Sequence, residues 1–195
     1  MSILSIISIS LCAIFAENAV FSQLFGMTLF TKKSGSIRSA AGTGVAVAVS
    51  MAALSVVSWF LDFALISPLG LEYLRTVTLV LTAVCLSGLT DVALRKKAPE
   101  LIEKMGISLP LVTVNTATLG AMLVTSVSGY NMIEALVYGL FSGAGFLAAI
   151  TLFAAIRERL EYSDIPKWLE GLPITFITAG LVALAFMGFR GISFM

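Results

Sequence analysis

Six apolar runs, separated by short polar connectors, account for most of this chain. They cover residues 3–26, 42–65, 71–94, 108–127, 132–156 and 173–192. About 20 apolar residues in a helix span the hydrocarbon core of a bilayer, and each run reaches that length. The connectors carry the Gly, Pro and Ser expected of turns and helix ends: KKSGSIR, ISPLG, RKKAPELIEKMG, SGYN and RERLEYSDIPKWLEG. The expected fold is therefore an all-α integral membrane protein with about six transmembrane helices. Composition agrees, because only 12% of residues are charged and mean hydropathy is +1.03, against roughly 25% charged in a soluble domain. A length of 195 residues suits one membrane domain, 1–195, whose partner is the lipid bilayer. A net charge of +1 gives no reason to expect a nucleic-acid partner. The first run has no basic segment before it and no A-x-A cleavage pattern, so it is expected to remain as a helix.

Lys and Arg set the orientation, since short cytoplasmic loops are enriched in them. Lys32, Lys33 and Arg38 fall in the first loop, Arg95, Lys96, Lys97 and Lys104 in the third, and Arg157, Arg159 and Lys167 in the fifth. Only Arg75 and Arg190 lie toward the other face. Both termini are thus expected on the non-cytoplasmic side of a bacterial inner membrane. Trp59, Tyr73, Tyr130, Tyr162 and Trp168 sit near predicted span ends, where amphipathic rings favour the interface.

The second and fifth runs share a pattern of small residues. Gly42-Thr43-Gly44 with Ala48 and Ser50 matches Gly143-Ala144-Gly145 with Ala149 and Thr151. Equivalent helices an odd number of spans apart point in opposite directions, so the expected organisation is a 3+3 inverted repeat over 1–97 and 98–195. The alternative is simple helix packing, because small residues let any two helices approach closely.

Polar residues inside the spans are the candidate functional groups. Glu17 and Asn18 interrupt the first run, where an ionised side chain costs at least about 2.5–3.5 kcal/mol at mid-depth. The segment 23–28 that follows is polar and glycine-containing. The fourth run has the same character in Thr113, Asn115, Thr116 and Thr118 after Pro110. Spans 1 and 4 are accordingly expected to break into half-helices around a central site, with Glu17, Asn18 and Asn115 as candidates for an ion path. The competing reading for Asn115 and the threonines is hydrogen bonding between helices. Glu72 and Arg75 are spaced for an ion pair, and Cys12 and Cys85 read as small buried thiols. With no His and no Cys-x-x-Cys, zinc and haem motifs and a Ser-His-Asp triad are excluded, and no glycine-rich phosphate loop is present.

Three strings, ENAVFSQLFGM at 17–27, GISLPLVTVNTATLG at 106–120 and LFAAIRERLEYSDIPKWLEGLPITFITAGLVALAFMGF at 152–189, resemble the RnfA and NqrE type membrane subunits of ion-translocating electron-transport complexes, with RnfA the closer match. The resemblance covers essentially the whole chain. It implies a sister six-helix subunit of opposite topology (RnfE or NqrD), other Rnf-like subunits, and a [2Fe-2S] cluster shared between the sisters. It further implies electron transfer of the ferredoxin/NAD type coupled to sodium or proton movement. In the family a cysteine follows each half-helix break, in GLC or GMC and in NC motifs, whereas this chain reads Gly26-Met27-Thr28 and Asn115-Thr116. Iron–sulfur clusters take thiolate, or His in Rieske centres, so Thr28 and Thr116 are poor cofactor ligands. Two readings stay open: a cluster held mainly by the partner, or a cluster-free paralogue acting as a secondary transporter or structural scaffold.

Overall fold

The computed structural model describes residues 3–16, 18–22, 37–97 and 115–188, and every regular element among them is helical. Helix α1 (Ile3–Leu11) widens into a π-helical turn, Cys12–Ala16. Helix α2 (Ile37–Leu61) runs on through a π-helical stretch, Asp62–Ile66, and a last turn, Ser67–Leu69. It stops at Gly70, whose left-handed φ of 64° suits a residue without Cβ. A 3₁₀ turn, Glu72–Leu74, leads into α3 (Arg75–Lys97). Helix α4 (Thr116–Val127) follows, and Gly129, with φ 64°, turns the chain toward α5 (Met132–Leu160). There Glu134 accepts from the Asn131 N–H at 2.9 Å, closing a capping box at the start of α5. Helix α6 (Leu172–Met187) starts after Gly171 with Pro in its first turn, a position where a missing N–H costs nothing.

Three of these helices are long and apolar enough to cross a membrane: Ile37–Leu69, Glu72–Leu89 and Met132–Leu160. The other three are shorter, and α4, with 12 residues, reaches only about 18 Å at 1.5 Å per residue. A helix that short starting at Asn115 enters partway through the expected fourth run. Likewise α1 gives way to a turn at Asn18 inside the first run. The flanking stretches 23–36 and 98–114 lie outside the described residues.

Helices α2 and α5 form the centre of the fold. Gly44 meets Leu147, Ala48 meets Gly143 and Ala52 meets Gly139, so the two run antiparallel along a seam of small residues. The approach is close: a Cβ at Gly143 would stand 2.5 Å from Ala48 Cα, and one at Gly139 2.9 Å from Ala52 Cα. Dispersion across such contacts holds membrane helices together, since lipid tails compete for apolar surface as well as Leu does. Helix α4 lies parallel to α2. Ser58 Oγ donates to the Met122 carbonyl at 2.7 Å, and four residues further along both helices Ser126 Oγ donates to Asp62 at 2.9 Å. Alternating spans require this sense: α2 and α4 alike, α5 reversed.

The peripheral packing falls into matching pairs. Helix α1 rests on α5 as α4 rests on α2, and α6 touches the π-helical end of α1 as α3 touches α4. Large apolar side chains such as Val49, Phe60, Leu81 and Leu181 face outward, while Thr43, Ser55, Thr118 and Thr125 are buried. Thr43 and Thr125 satisfy their hydroxyls on carbonyls one turn earlier, at 2.9 and 2.8 Å. Helix α3 touches the bundle along one side, which leaves Cys85 exposed, contrary to the burial expected from its apolar run. Cys12 is half-buried.

Candidate functional site

The two interrupted spans meet the bundle through two asparagines with the same local duty. Asn18 is fully buried; its Oδ1 accepts from the N–H groups of Val20 and Phe21 at 3.0 and 3.2 Å. Its carbonyl accepts from Ser22 N–H at 3.0 Å, the first hydrogen bond of a helical turn. Asn115, also buried, repeats this: its Oδ1 accepts from Ala117 N–H and its carbonyl from Leu119 N–H at 3.0 Å. Thr118 completes the cap, its Oγ1 accepting from the Asn115 N–H at 3.2 Å and donating to the Asn115 carbonyl at 2.7 Å. Asn suits both places because its side chain replaces a backbone acceptor at a helix start.

The amide nitrogens separate them. Asn18 Nδ2 donates to the Ile14 carbonyl at 2.9 Å and to the Gly145 carbonyl of α5 at 3.1 Å. Asn115 Nδ2 is buried without a partner among the described residues, a state that costs about 1–3 kcal/mol unless another group supplies an acceptor. The Gly145 contact is possible because that residue has no side chain. A Cβ there would stand 3.2 Å from Asn18 Nδ2 and from the Ala13 carbonyl oxygen.

Of the five candidate residues, Asn18 and Asn115 are thus interior caps, Asn18 just beyond the π-helical turn of α1 and against α5, Asn115 at the start of α4, which packs on α2. Thr116, the first residue of α4, is exposed and donates to Asn115 Oδ1 at 3.4 Å. Glu17 and Thr28 lie outside the described residues.

A polar cluster not foreseen from the sequence ties three helices at one end. Arg75 Nε of α3 donates to Asp62 Oδ1 at 3.1 Å, and the same carboxylate oxygen accepts from Ser126 of α4. Arg75 therefore pairs with Asp62 and not with Glu72, as spacing alone suggested. The Ser67–Leu69 turn and Gly70 fold the chain back, and this brings the starts and ends of neighbouring helices together. The available signal was the four-residue step repeated in Ser58/Asp62 and Met122/Ser126.

A two-iron cluster can be tested against the donors present. Position 116, where the resemblance expects a thiolate, offers a neutral hydroxyl, and the two thiols stand elsewhere, on the π turn of α1 and on α3. Among the described residues no three His, Cys, Asp or Glu side chains lie together. The neutral hydroxyl of Thr116 is a poor iron–sulfur ligand, and position 28 lies outside the described residues.

The family model described as "Rnf-Nqr subunit, membrane protein" matches residues 6–193. The A component of the Na(+)-translocating ferredoxin:NAD(+) oxidoreductase complex of Acetobacterium woodii is 42% identical, over 96% of this chain and 98% of its own length. The E component of the Na(+)-translocating NADH-quinone reductase of Aeromonas hydrophila is also 42% identical, over 96% and 98%. The A component of the ion-translocating oxidoreductase complex of Serratia proteamaculans is 40% identical, over 92% and 93%. Identity to the first two is equal, so it does not separate the RnfA type from the NqrE type. With a matched model over nearly the whole chain and relatives of this identity, the chain belongs to the Rnf-Nqr family of membrane subunits.

Proposed function

We propose that this chain is a membrane subunit of an Rnf-like ion-translocating oxidoreductase complex, in which electron transfer of the ferredoxin/NAD type is coupled to sodium or proton transport. The observation that carries this reading is its match, along almost the full length of both chains, to subunits of complexes named for that activity. The paired packing of α1 on α5 and α4 on α2 supports a 3+3 inverted repeat, 1–97 and 98–195, with Asn18 and Asn115 as equivalent caps at the two breaks. Such breaks are where membrane proteins gather ion sites, which makes Glu17, Asn18 and Asn115 the residues to test in an ion path. The chain works beside a sister six-helix subunit of opposite topology. Its termini lie on the non-cytoplasmic side of the inner membrane, the orientation favoured by ten of twelve basic residues in the first, third and fifth loops.

The threonine at position 116 favours a second reading, a cluster-free paralogue that keeps the fold and serves as a secondary transporter or scaffold. Purifying the chain from its native membrane distinguishes the two. Co-purification of flavin-bearing subunits together with a sister membrane subunit supports the complex, whereas a functional homodimer overturns it. Iron content and an electron paramagnetic resonance spectrum of the same preparation decide whether a cluster accompanies the membrane pair. Glu17→Gln with ion flux measured in vesicles tests the path, since unchanged flux removes that residue from it.

A further inference from the structure

The connector between α5 and α6 builds a cavity that neither the helix packing nor the broken spans use. It is an open cleft of about 300 Å³, the lower end of the roughly 300–1,000 Å³ typical of small-molecule pockets. Its walls carry charge of both signs: Arg157 from the last turn of α5, Glu161 directly after that helix, and Glu170 just before α6. The hydroxyl residues Ser163 and Thr175 complete its polar lining. The backbone holds this shape through short-range bonds. Ser163 N–H donates to the Leu160 carbonyl at 3.1 Å, Ile174 N–H to Leu169 at 3.0 Å, and Thr175 Oγ1 to Gly171 at 2.7 Å. Gly171, at φ 84°, takes the turn into α6 that a side chain would strain.

The place of the cavity indicates what it holds. It lies at the end of a 29-residue membrane-crossing helix, and next to it Tyr162 and Trp168 are 87% and 78% exposed. Such rings settle at the headgroup layer. Leading away from the cavity, α6 exposes Leu172, Phe176, Leu181 and Leu184. A cleft that sets charges of both signs among apolar side chains (Leu160, Ile165, Ile174), at headgroup level and beside an exposed apolar helix, is the layout of a lipid site.

We propose that the α5–α6 connector binds a zwitterionic aminophospholipid of the phosphatidylethanolamine type. Its ammonium meets the carboxylates of Glu161 and Glu170, its phosphate lies toward Arg157, and an acyl chain runs along α6. Among the described lining residues two carboxylates stand against one guanidinium, so the cationic end of the headgroup decides selection. A primary ammonium brings three N–H donors to those carboxylates. Choline has none, and phosphatidylglycerol has no cation to offer. The inference depends on the chain's place in a membrane and not on its electron-transfer role.

The test is lipid retention by the protein reconstituted in nanodiscs from equal parts of phosphatidylethanolamine, phosphatidylcholine and phosphatidylglycerol, then stripped in mild detergent and read by native mass spectrometry. Wild type is expected to retain phosphatidylethanolamine about tenfold over the other two, the preference that one charge-assisted hydrogen bond supplies. Glu161→Gln with Glu170→Gln is expected to abolish the preference while the protein stays monodisperse and helical, because both side chains are exposed. Equal retention of the three lipids by wild type, which needs no variant, overturns the proposal. So does an undiminished preference in the double variant. Loss of a co-purifying subunit from that variant with its lipids unchanged would overturn it too, and would assign the connector to a protein interface instead.

Discussion

Asn18 Nδ2 donates to the carbonyl oxygen of Gly145 at 3.1 Å, joining the break in α1 to the middle of α5 across 127 residues. Asn115 makes the same cap without that long-range bond. Truncating Asn18 removes a cap and both amide bonds, to Ile14 and to Gly145, while truncating Asn115 removes a cap and an amide that has no partner among the described residues. Asn18→Ala is expected to destabilise the protein by about 1–3 kcal/mol. Asn115→Ala is expected to cost no more than about 1 kcal/mol. Unfolding midpoints of the two variants in one detergent provide the comparison, and an equal or reversed order contradicts the assigned amide orientations.

The α2–α5 seam tolerates no added bulk at Gly143, where a Cβ would stand 2.5 Å from Ala48 Cα. Gly143→Val is expected to cost at least about 1–3 kcal/mol, the range for overpacked interiors. Gly180, inside α6, has nothing near its Cβ position, so Gly180→Ala serves as the control and should leave the midpoint unchanged or slightly raised, since Ala is the better helix former.

Asp62 holds Arg75 and Ser126 through one oxygen, with both ion-pair side chains 20% exposed. Asp62→Asn keeps the shape and removes the charge. Its expected cost is roughly 1–2 kcal/mol, between the values for exposed and buried pairs. Glu72→Gln should be silent, since Arg75 donates to Asp62. A larger loss from Glu72→Gln than from Asp62→Asn would show the pairing is otherwise in the membrane.

Thr116 presents a hydroxyl where a thiolate would be needed. Thr116→Ala is therefore expected to leave the iron content of the purified complex unchanged. A drop in iron on this substitution would make the threonine a ligand and refute the donor argument.

Orientation can be read with single cysteines in a Cys12→Ser, Cys85→Ser background. Ser163→Cys is expected to be shielded from a membrane-impermeant maleimide in intact cells, and Gly129→Cys labelled. The opposite pattern would invert the topology inferred from Lys and Arg.

Much of the fold was legible because lipid imposes a simple rule: a run of about 20 apolar residues becomes a helix that satisfies its own backbone. The interruptions were legible only in part: the polar residues Asn18 and Asn115 stood out against apolar neighbours, their capping role did not, and the 23–28 stretch where the first break was expected lies outside the described residues. Hydropathy did not mark where a cap restarts the helix inside spans 1 and 4, at Asn18 and Asn115. It also hid the exposure of Cys85, because an apolar run does not reveal which face of α3 meets the bundle.

The membrane class, the number and order of apolar runs, the charge bias of the loops, and the missing thiols at positions 28 and 116 are all written in the linear chain. These are properties of composition and local spacing, so they need no knowledge of neighbours. Three-dimensional packing was required to establish that Arg75 answers Asp62 instead of Glu72, that Asn18 reaches Gly145 while Asn115 keeps an unpaired amide, and that three charged residues of one connector surround a single cavity. Those relations depend on how α2 and α5 cross and on which helices then pack beside them. Contacts between residues as much as 127 positions apart are set by packing and leave little trace in local pattern.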